Sequence, residues 1–182
     1  MFVETDRLIL RAWREEDLAP FARLNADTEV MRYFERPFTR EESDESVKRF
    51  TAGIETHGFG LWAAELKLDN SFIGLIGLQG VGSDLFFGPT IEIGWRLQKD
   101  VWGQGLAPEG ALGALAFAFE EKKVPEVVSF TAACNVPSRR VMEKVGMTTE
   151  VSEDFDHPRV TKGHMIERHC LYRLSSADFK PF

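Results

Sequence analysis

Residues 102–107 read Trp102-Gly103-Gln104-Gly105-Leu106-Ala107, a glycine-containing turn between a strand-like run and the start of a helix. The first turn of a helix has backbone N–H groups with no internal partner, and the aligned peptide dipoles add partial positive charge there. An anion such as a pyrophosphate can sit on such a turn. Gly103 and Gly105 lack Cβ atoms, so a ligand can come close to the backbone. A glycine turn before a helix is also often only a turn. No Gly-Lys-Ser/Thr follows, so this is not a Walker loop, and the Gly-x-Gly-x-x-Gly dinucleotide fingerprint is absent.

Other chemistry-bearing residues are scattered. Asn135 precedes a helix-like run with Pro137 near its start and Gly146 past its end, and so reads first as an N-cap. His157, His164, His169 and Cys170 lie near the C-terminal end, but their spacing fits no standard zinc pattern, and no metal is expected. Cys134 adjoins Asn135 and can be read as an acyl nucleophile or, as the sequence favours, a small buried hydrophobe.

The chain has 182 residues and a formal net charge of −7. That length suits one domain with a core of its own, spanning 1–182. The acidic balance argues against nucleic-acid binding, which needs a dense basic face, and would favour cationic partners such as amines through the summed field; it also suits simple solubility. Two cysteines without a paired spacing fit a reducing compartment. The first residues lack a signal-peptide core, and the longest apolar run, Ala111–Phe119, is too short to span a bilayer. The expectation is a cytoplasmic chain, a monomer or homodimer, with no membrane partner.

The elements that must hold these residues follow from periodicity. Leu8–Leu10 reads as a short strand, Arg14–Leu24 and Arg40–Glu55 as helices, and Tyr33–Thr39 as the break between them. Gly60–Leu66 and Phe72–Val81 form a hairpin about the Asp69-Asn70 turn, and Thr90–Leu97 is the next strand. Ala107–Lys122 is a helix with Pro108 in its first turn; its apolar body calls for burial on more than one face. Glu126–Ala133 is a strand, Asn135–Val145 a helix, and Met147–Val151 and His169–Leu174 are closing strands. The order predicts an α/β (α+β) layer fold around a mixed, mainly antiparallel central sheet flanked by helices.

At Trp102–Ala107 the chain resembles the GNAT superfamily of N-acetyltransferases, in particular its RimJ/RimL-like branch of ribosomal-protein N-terminal acetyltransferases. The family loop is Arg/Gln-x-x-Gly-x-Gly/Ala; here Trp102 takes the first position and Gly105 and Ala107 the later ones. The run Asn135-Val136-Pro137-Ser138 through Glu143-Lys144-Val145-Gly146-Met147 is similar to the family's Asn-x-x-Ser…Glu-Lys-x-Gly-Phe, with Met147 replacing Phe. The resemblance implies acetyl-CoA as co-substrate, no metal, and a V-shaped split between the strands ending near Leu97 and Ala133. Pantetheine would pair with backbone at Trp95, Arg96 and Leu97, and the pyrophosphate would rest on Trp102, Gly103, Gln104, Gly105, Leu106 and Ala107. Asn135 and Ser138 would face the pantetheine and thioester.

The implied reaction is attack of a neutral primary amine on the thioester in a ternary complex. An α-amino group titrates near ~7.7–8.0 and a lysine near ~10.4, so an N-terminal amine needs only a weak base. Backbone N–H near Leu97 is the expected oxyanion donor. The family often places a Tyr general acid where this chain has Met142, leaving Ser138 as the candidate donor to the departing sulfur. Glu92, between Ile91 and Ile93, is the candidate base, with an outward-facing strand carboxylate as the plain alternative. Phe34, Phe38 and Trp13 are candidates to line the acceptor pocket, though aromatic residues are more often core. Asp154–His164 can overhang that pocket, with Asp156 or His157 on the amine. The resemblance favours a peptide N-terminus as acceptor, ahead of a polyamine or antibiotic amine. A non-catalytic acyl-CoA sensor, or a plain domain with a glycine turn, stays open beside it.

Overall fold

In a computed structural model residues 2–180 are described, and they form one sheet with helices on both faces. The strands are β1 (Val3–Glu4), β2 (Leu8–Arg11), β3 (Leu61–Leu66), β4 (Phe72–Val81), β5 (Thr90–Leu97), β6 (Glu126–Ala132), β7 (Thr148–Thr149), β8 (Phe155–Asp156) and β9 (Arg168–Ser175). The helices are α1 (Leu18–Ala26), α2 (Arg40–His57), α3 (Leu106–Ala116) and α4 (Val136–Lys144). The sheet order is β1-β2-β3-β4-β5-β6-β9-β7, with β8 also on β9. Every pairing is antiparallel except β5 with β6. The mixed, mainly antiparallel layer fold expected from the sequence is the fold found.

Helix ends fall where local chemistry stops them. Thr39 and Glu42 form a reciprocal capping box that opens α2, and Gly58 in the left-handed region closes it. Asn135 Oδ1 accepts the Ser138 N–H and opens α4. The apolar α3 is buried as its composition requires: it lies against β4 and β5 and also meets α4. A Cβ on Gly110 would come 2.4 Å from Ile76 Cδ1, so glycine here lets the helix sit close on β4. The helix continues as a single π turn, Phe117–Glu121.

One core lies between α3, α4 and the sheet, built on Leu8, Leu10, Trp62, Ile76, Ile93 and Leu115. A smaller one, on Phe21, Leu24, Val47 and Leu75, joins α1 and α2 to the opposite face. Trp13 belongs to this second core; it packs on Phe21, Phe50 and Phe72, and its indole N–H bonds the Leu61 carbonyl at 2.8 Å. That placement corrects the pocket-lining role considered for it. Arg11, buried with Asp17 and Glu65, ties β2 to β3 and to the turn before α1 at 2.6–2.9 Å.

Candidate active site

The site begins where two strands part. The parallel β5–β6 pairing holds only at Ile91–Val127 and Glu92–Val128. Ser129 Oγ then donates to the Ile93 carbonyl at 2.9 Å, and beyond that the strands diverge. The Gln98 N–H bonds Ile73 on the β4 side at 2.8 Å. Residues two apart face the same neighbour, so Arg96 and Gly94 turn their backbone groups to β4, while Trp95 and Leu97 turn theirs into the split. The Leu97 carbonyl is taken by the Trp102 indole N–H at 2.9 Å; the Leu97 N–H and both Trp95 backbone groups are left facing the gap.

Two clefts open from this split. The first, of about 370 Å³, is lined by Trp95, Arg96, Leu97, Trp102, Gly103, Gly105, Leu106, Ala107 and the start of α4. Gly103 and Gly105 both have φ in the left-handed region, at 75° and 79°, which a residue with Cβ would resist. Gly105 is the N-cap of α3 and supplies no side chain to its first turn, so the Leu106 and Ala107 N–H groups have no cap partner. Pro108 follows and has no N–H. Arg32, Arg140 and Lys144 line the same cleft with no carboxylate partner among the described residues. An extended gap leading to free helix N–H groups and a cationic rim fits a long thioester carrying a diphosphate.

Gln104 is the one loop residue expected at the ligand that the cleft lining does not include. Its side chain turns back to the Asp100 carbonyl at 3.1 Å. The loop is instead held from behind by a residue sequence reasoning missed. Arg7 donates to the Gln104 carbonyl at 3.0 Å and to Glu109 at 2.6 Å. Glu109 sits in the first turn of α3, where its charge would compete with a bound anion; Arg7 neutralises it. Nothing local in the sequence marks the pair, which lies 102 residues apart.

The second cleft, of about 480 Å³, shares Tyr33, Phe34, Trp95, Arg96, Asn135 and Ser138 with the first. Glu92 lies on its wall, with Oε2 accepting from Gln79 at 2.8 Å. Glu92 is only half-buried by area, but protein wrapped around the cleft thins the water about its carboxylate and raises its pKa from 4.5 to about 7. Its side chain faces this cleft.

Phe34 and Phe38 line this cleft, edge to face at 6.0 Å. His157 and His169 line it too, with ring centroids 4.8 Å apart; desolvation lowers both pKa values, and the charge of His169 further lowers that of His157. Asp156 is not brought to either cleft. It is exposed on β8 and pairs with Arg168 at 3.3 Å. Alternation along the extended backbone turns it away from the side of Phe155 and His157, whose ring centroids lie 6.0 Å apart. Cys134 is exposed, against the buried role expected for it, because it lies in the turn between β6 and α4; it lines neither cleft. Among the described residues no cluster of His, Cys, Asp and Glu could hold a metal, and no helix is long and apolar enough to cross a membrane.

At the junction Asn135 is occupied by structure: Oδ1 caps α4 and Nδ2 donates to Thr131 Oγ1 at 2.9 Å. Ser138 Oγ and the Tyr33 phenol make no hydrogen bond among the described residues. In the sequence Tyr33 stands out only as the start of the break between the first two helices. The connection between α1 and α2 carries it to the junction. The other tyrosine, Tyr172, is buried and spends its hydroxyl on Arg139 and Glu143.

Residues 7–148 match the family model described as an acetyltransferase (GNAT) domain. The chain is 30% identical over 151 residues to a Bacillus subtilis protein named uncharacterized N-acetyltransferase YnaD, covering 82% of this chain and 84% of that one. Its fold matches the crystal structure of a GNAT-family acetyltransferase from Bacillus anthracis with a TM-score of 0.80 and 26% identity, over 97% and 99% of the two chains. A RimL ribosomal L7/L12 alpha-N-protein acetyltransferase in complex with coenzyme A shares the fold at a TM-score of 0.77 and 15% identity, over 96% and 98%. The chain belongs to the GNAT acetyltransferase family and is an N-acetyltransferase, in a family that uses acetyl-CoA.

Proposed function

We propose that this protein transfers acetyl from acetyl-CoA to the α-amine of a peptide or amino-acid derivative, by direct attack in a ternary complex. The observation that carries the reading is the meeting of two clefts at Trp95, Arg96 and Ser138, one suited to the thioester and the other holding Glu92. A base with a pKa of about 7 is matched to an amine near ~7.7–8.0 and poorly matched to a lysine near ~10.4. The same matching speaks against a polyamine, whose amines are also strong bases. The RimL neighbour, by its own name an α-N-protein acetyltransferase, has the same fold.

In this reading the backbone at Trp95–Leu97 aligns the pantetheine, Gly103, Gly105, Leu106 and Ala107 present N–H groups to the diphosphate, and Arg32, Arg140 and Lys144 meet the outer phosphate charge. The amine nitrogen attacks the thioester carbon. Glu92 takes the proton that nitrogen loses, directly or through one water. The Leu97 N–H supports the negative charge that gathers on the carbonyl oxygen. As the carbon–sulfur bond breaks, Ser138 Oγ gives the thiolate a proton and recovers one from solvent. Free coenzyme A and an amide leave. Tyr33, whose unpaired phenol lines both clefts, is the second candidate for the donor.

The test is a thermal melt with acetyl-CoA. At a hundred times its Kd the ligand stabilises the native state by about 2.7 kcal/mol, a rise in Tm of roughly 5–10 °C for this size. Gly105→Glu, which puts a side chain at φ 79° and a carboxylate at the anion site, is expected to remove the rise. No rise at millimolar acetyl-CoA in the unaltered protein would overturn the reading.

A further inference from the structure

Arg96 is the guanidinium of the acceptor cleft that has no carboxylate. Arg36 is engaged by Glu42 at 2.6 and 2.8 Å, and Arg159 by Asp84 at 2.5 Å. Arg96 Nη1 instead meets a neutral amide oxygen, Asn25 Oδ1, at 2.5 Å. Its Nε is buried with no acceptor at all. Nη2 makes no hydrogen bond among the described residues and keeps contact with the cleft. The plane of the group lies against Phe34, 4.3 Å from the ring centroid, and near Phe38 at 5.4 Å. Burial lowers its pKa to about 10, so it stays charged at neutral pH.

A desolvated guanidinium with spare donors is costly unless an anion completes it, and its fork suits a carboxylate. The packing that holds it fixes its direction: Asn25 is itself buried and anchored by Ser43 Oγ at 2.9 Å. Glu92, Gly94 and Arg96 share one face of β5, since side chains alternate along a strand. Gly94 leaves the strand between them bare, and the two Cα atoms stand about 13 Å apart.

We infer that the acceptor is an amine that also carries a carboxylate, bound with its amine toward Glu92 and its carboxylate on Arg96. Resting on the acetyltransferase reading above, this names the substrate class of that site. A peptide N-terminus with an acidic residue near it has the reach to satisfy both ends, and free amino acids serve as the short-span comparison. A polyamine does not, because it brings no anion to Arg96 and sets further positive charge in the same cleft.

The experiment compares matched acceptors by release of the coenzyme A thiol. Short peptides with Asp or Glu at the second or third position are set beside their Asn and Gln forms, free amino acids beside their amides, and spermidine is included. Carboxylate members are expected to exceed their amides in kcat/KM by about tenfold or more, as charged hydrogen bonds do. Arg96→Met is expected to reduce that ratio to below about threefold. Should the variant fail to fold, the comparison in the unaltered protein decides alone. Amides or spermidine used as well as carboxylates would overturn the inference. So would acetyl-CoA binding, seen by melt, with no carboxylate member turned over. Absence of acetyl-CoA binding would instead overturn the underlying acetyltransferase reading.

Discussion

Replacing Glu92 by Gln tests catalysis and folding at once, and the two effects have opposite signs. In the native protein desolvation raises the carboxylate pKa from 4.5 to about 7. A base must be ionised to act, so kcat/KM loses about a factor of ten per pH unit below ~7 through Glu92. An α-amine acceptor loses a further factor of ten per unit below its own pKa of ~7.7–8.0. The slope of log kcat/KM against pH is therefore about two below pH ~7 in the native enzyme. Glu92→Gln should leave a slope of about one and lower the plateau by roughly 10²–10⁴-fold.

Stability runs the other way. A carboxylate whose folded pKa is raised weakens the fold as it ionises; the penalty builds between pH 4.5 and about 7 and is complete above that. Between pH ~6 and ~8.5 it grows by on the order of 1 kcal/mol, discounted for the water that still reaches the group. Glu92→Gln removes it, and the Gln79 amide can still donate to the new side-chain oxygen. The variant should gain about 2–4 °C in Tm relative to the native protein on going from pH ~6 to ~8.5. Initial rates across pH and paired melts give both readings. An unchanged slope would remove Glu92 from the proton path. A Tm difference independent of pH would show that its surroundings are not desolvating.

Three further outcomes follow from the same contacts. Ser138→Ala should lower kcat by more than about threefold and Tyr33→Phe by less; the reverse order, read from initial rates, would move the donor role to Tyr33. Arg7→Ala leaves Glu109 uncompensated in the first turn of α3 and should weaken acetyl-CoA binding by about three- to tenfold. Adding Glu109→Gln should restore it, and calorimetry showing no restoration would refute the electrostatic account. Asp17→Asn breaks the bidentate contact to Arg11 at 2.7 and 2.9 Å, where Asp17 is 1% exposed. The expected loss is about 3 kcal/mol in denaturant unfolding, and a loss under ~1 kcal/mol would mean water reaches the pair.

What the sequence made legible follows from the range of the signals. The hairpin β3–β4, strand β5 and helix α4 were readable because alternation, turn residues and caps act over a few residues. The β5–β6 split was not readable from periodicity at all and came from the family resemblance. Strands β1 and β8 have two residues each, too few to show a period, while β7, equally short, lies inside the strand expected at Met147–Val151. The insertion of β9 between β6 and β7 is a tertiary choice with no local mark. The site divides in the same way. The glycine turn and the Asn135 cap were local features, whereas Tyr33 and Arg7 reach the site from segments far along the chain. Arg96 was expected through its backbone, and its side chain gained meaning only with Asn25, Phe34 and Phe38 around it.

Net charge is the case where a whole-chain property and a site property diverge. A value of −7 suggested that cationic amines would be drawn to the protein. At physiological salt the field of exposed charges fades over about 8 Å, so it guides approach and not recognition inside a cleft. There the immediate neighbours decide. His157 and His169 are held toward their neutral forms, Arg36 and Arg159 are already paired, and Glu92 is ionised only in part at neutral pH. Glu35 accepts the Thr161 N–H at 2.7 Å, and the guanidinium of the cleft that remains without a carboxylate is that of Arg96. An acceptor with both an amine and a carboxylate meets the acidic exterior with its cation and the cleft with its anion. For a simple polycation the same exterior helps arrival, and Arg96 opposes the last step of binding.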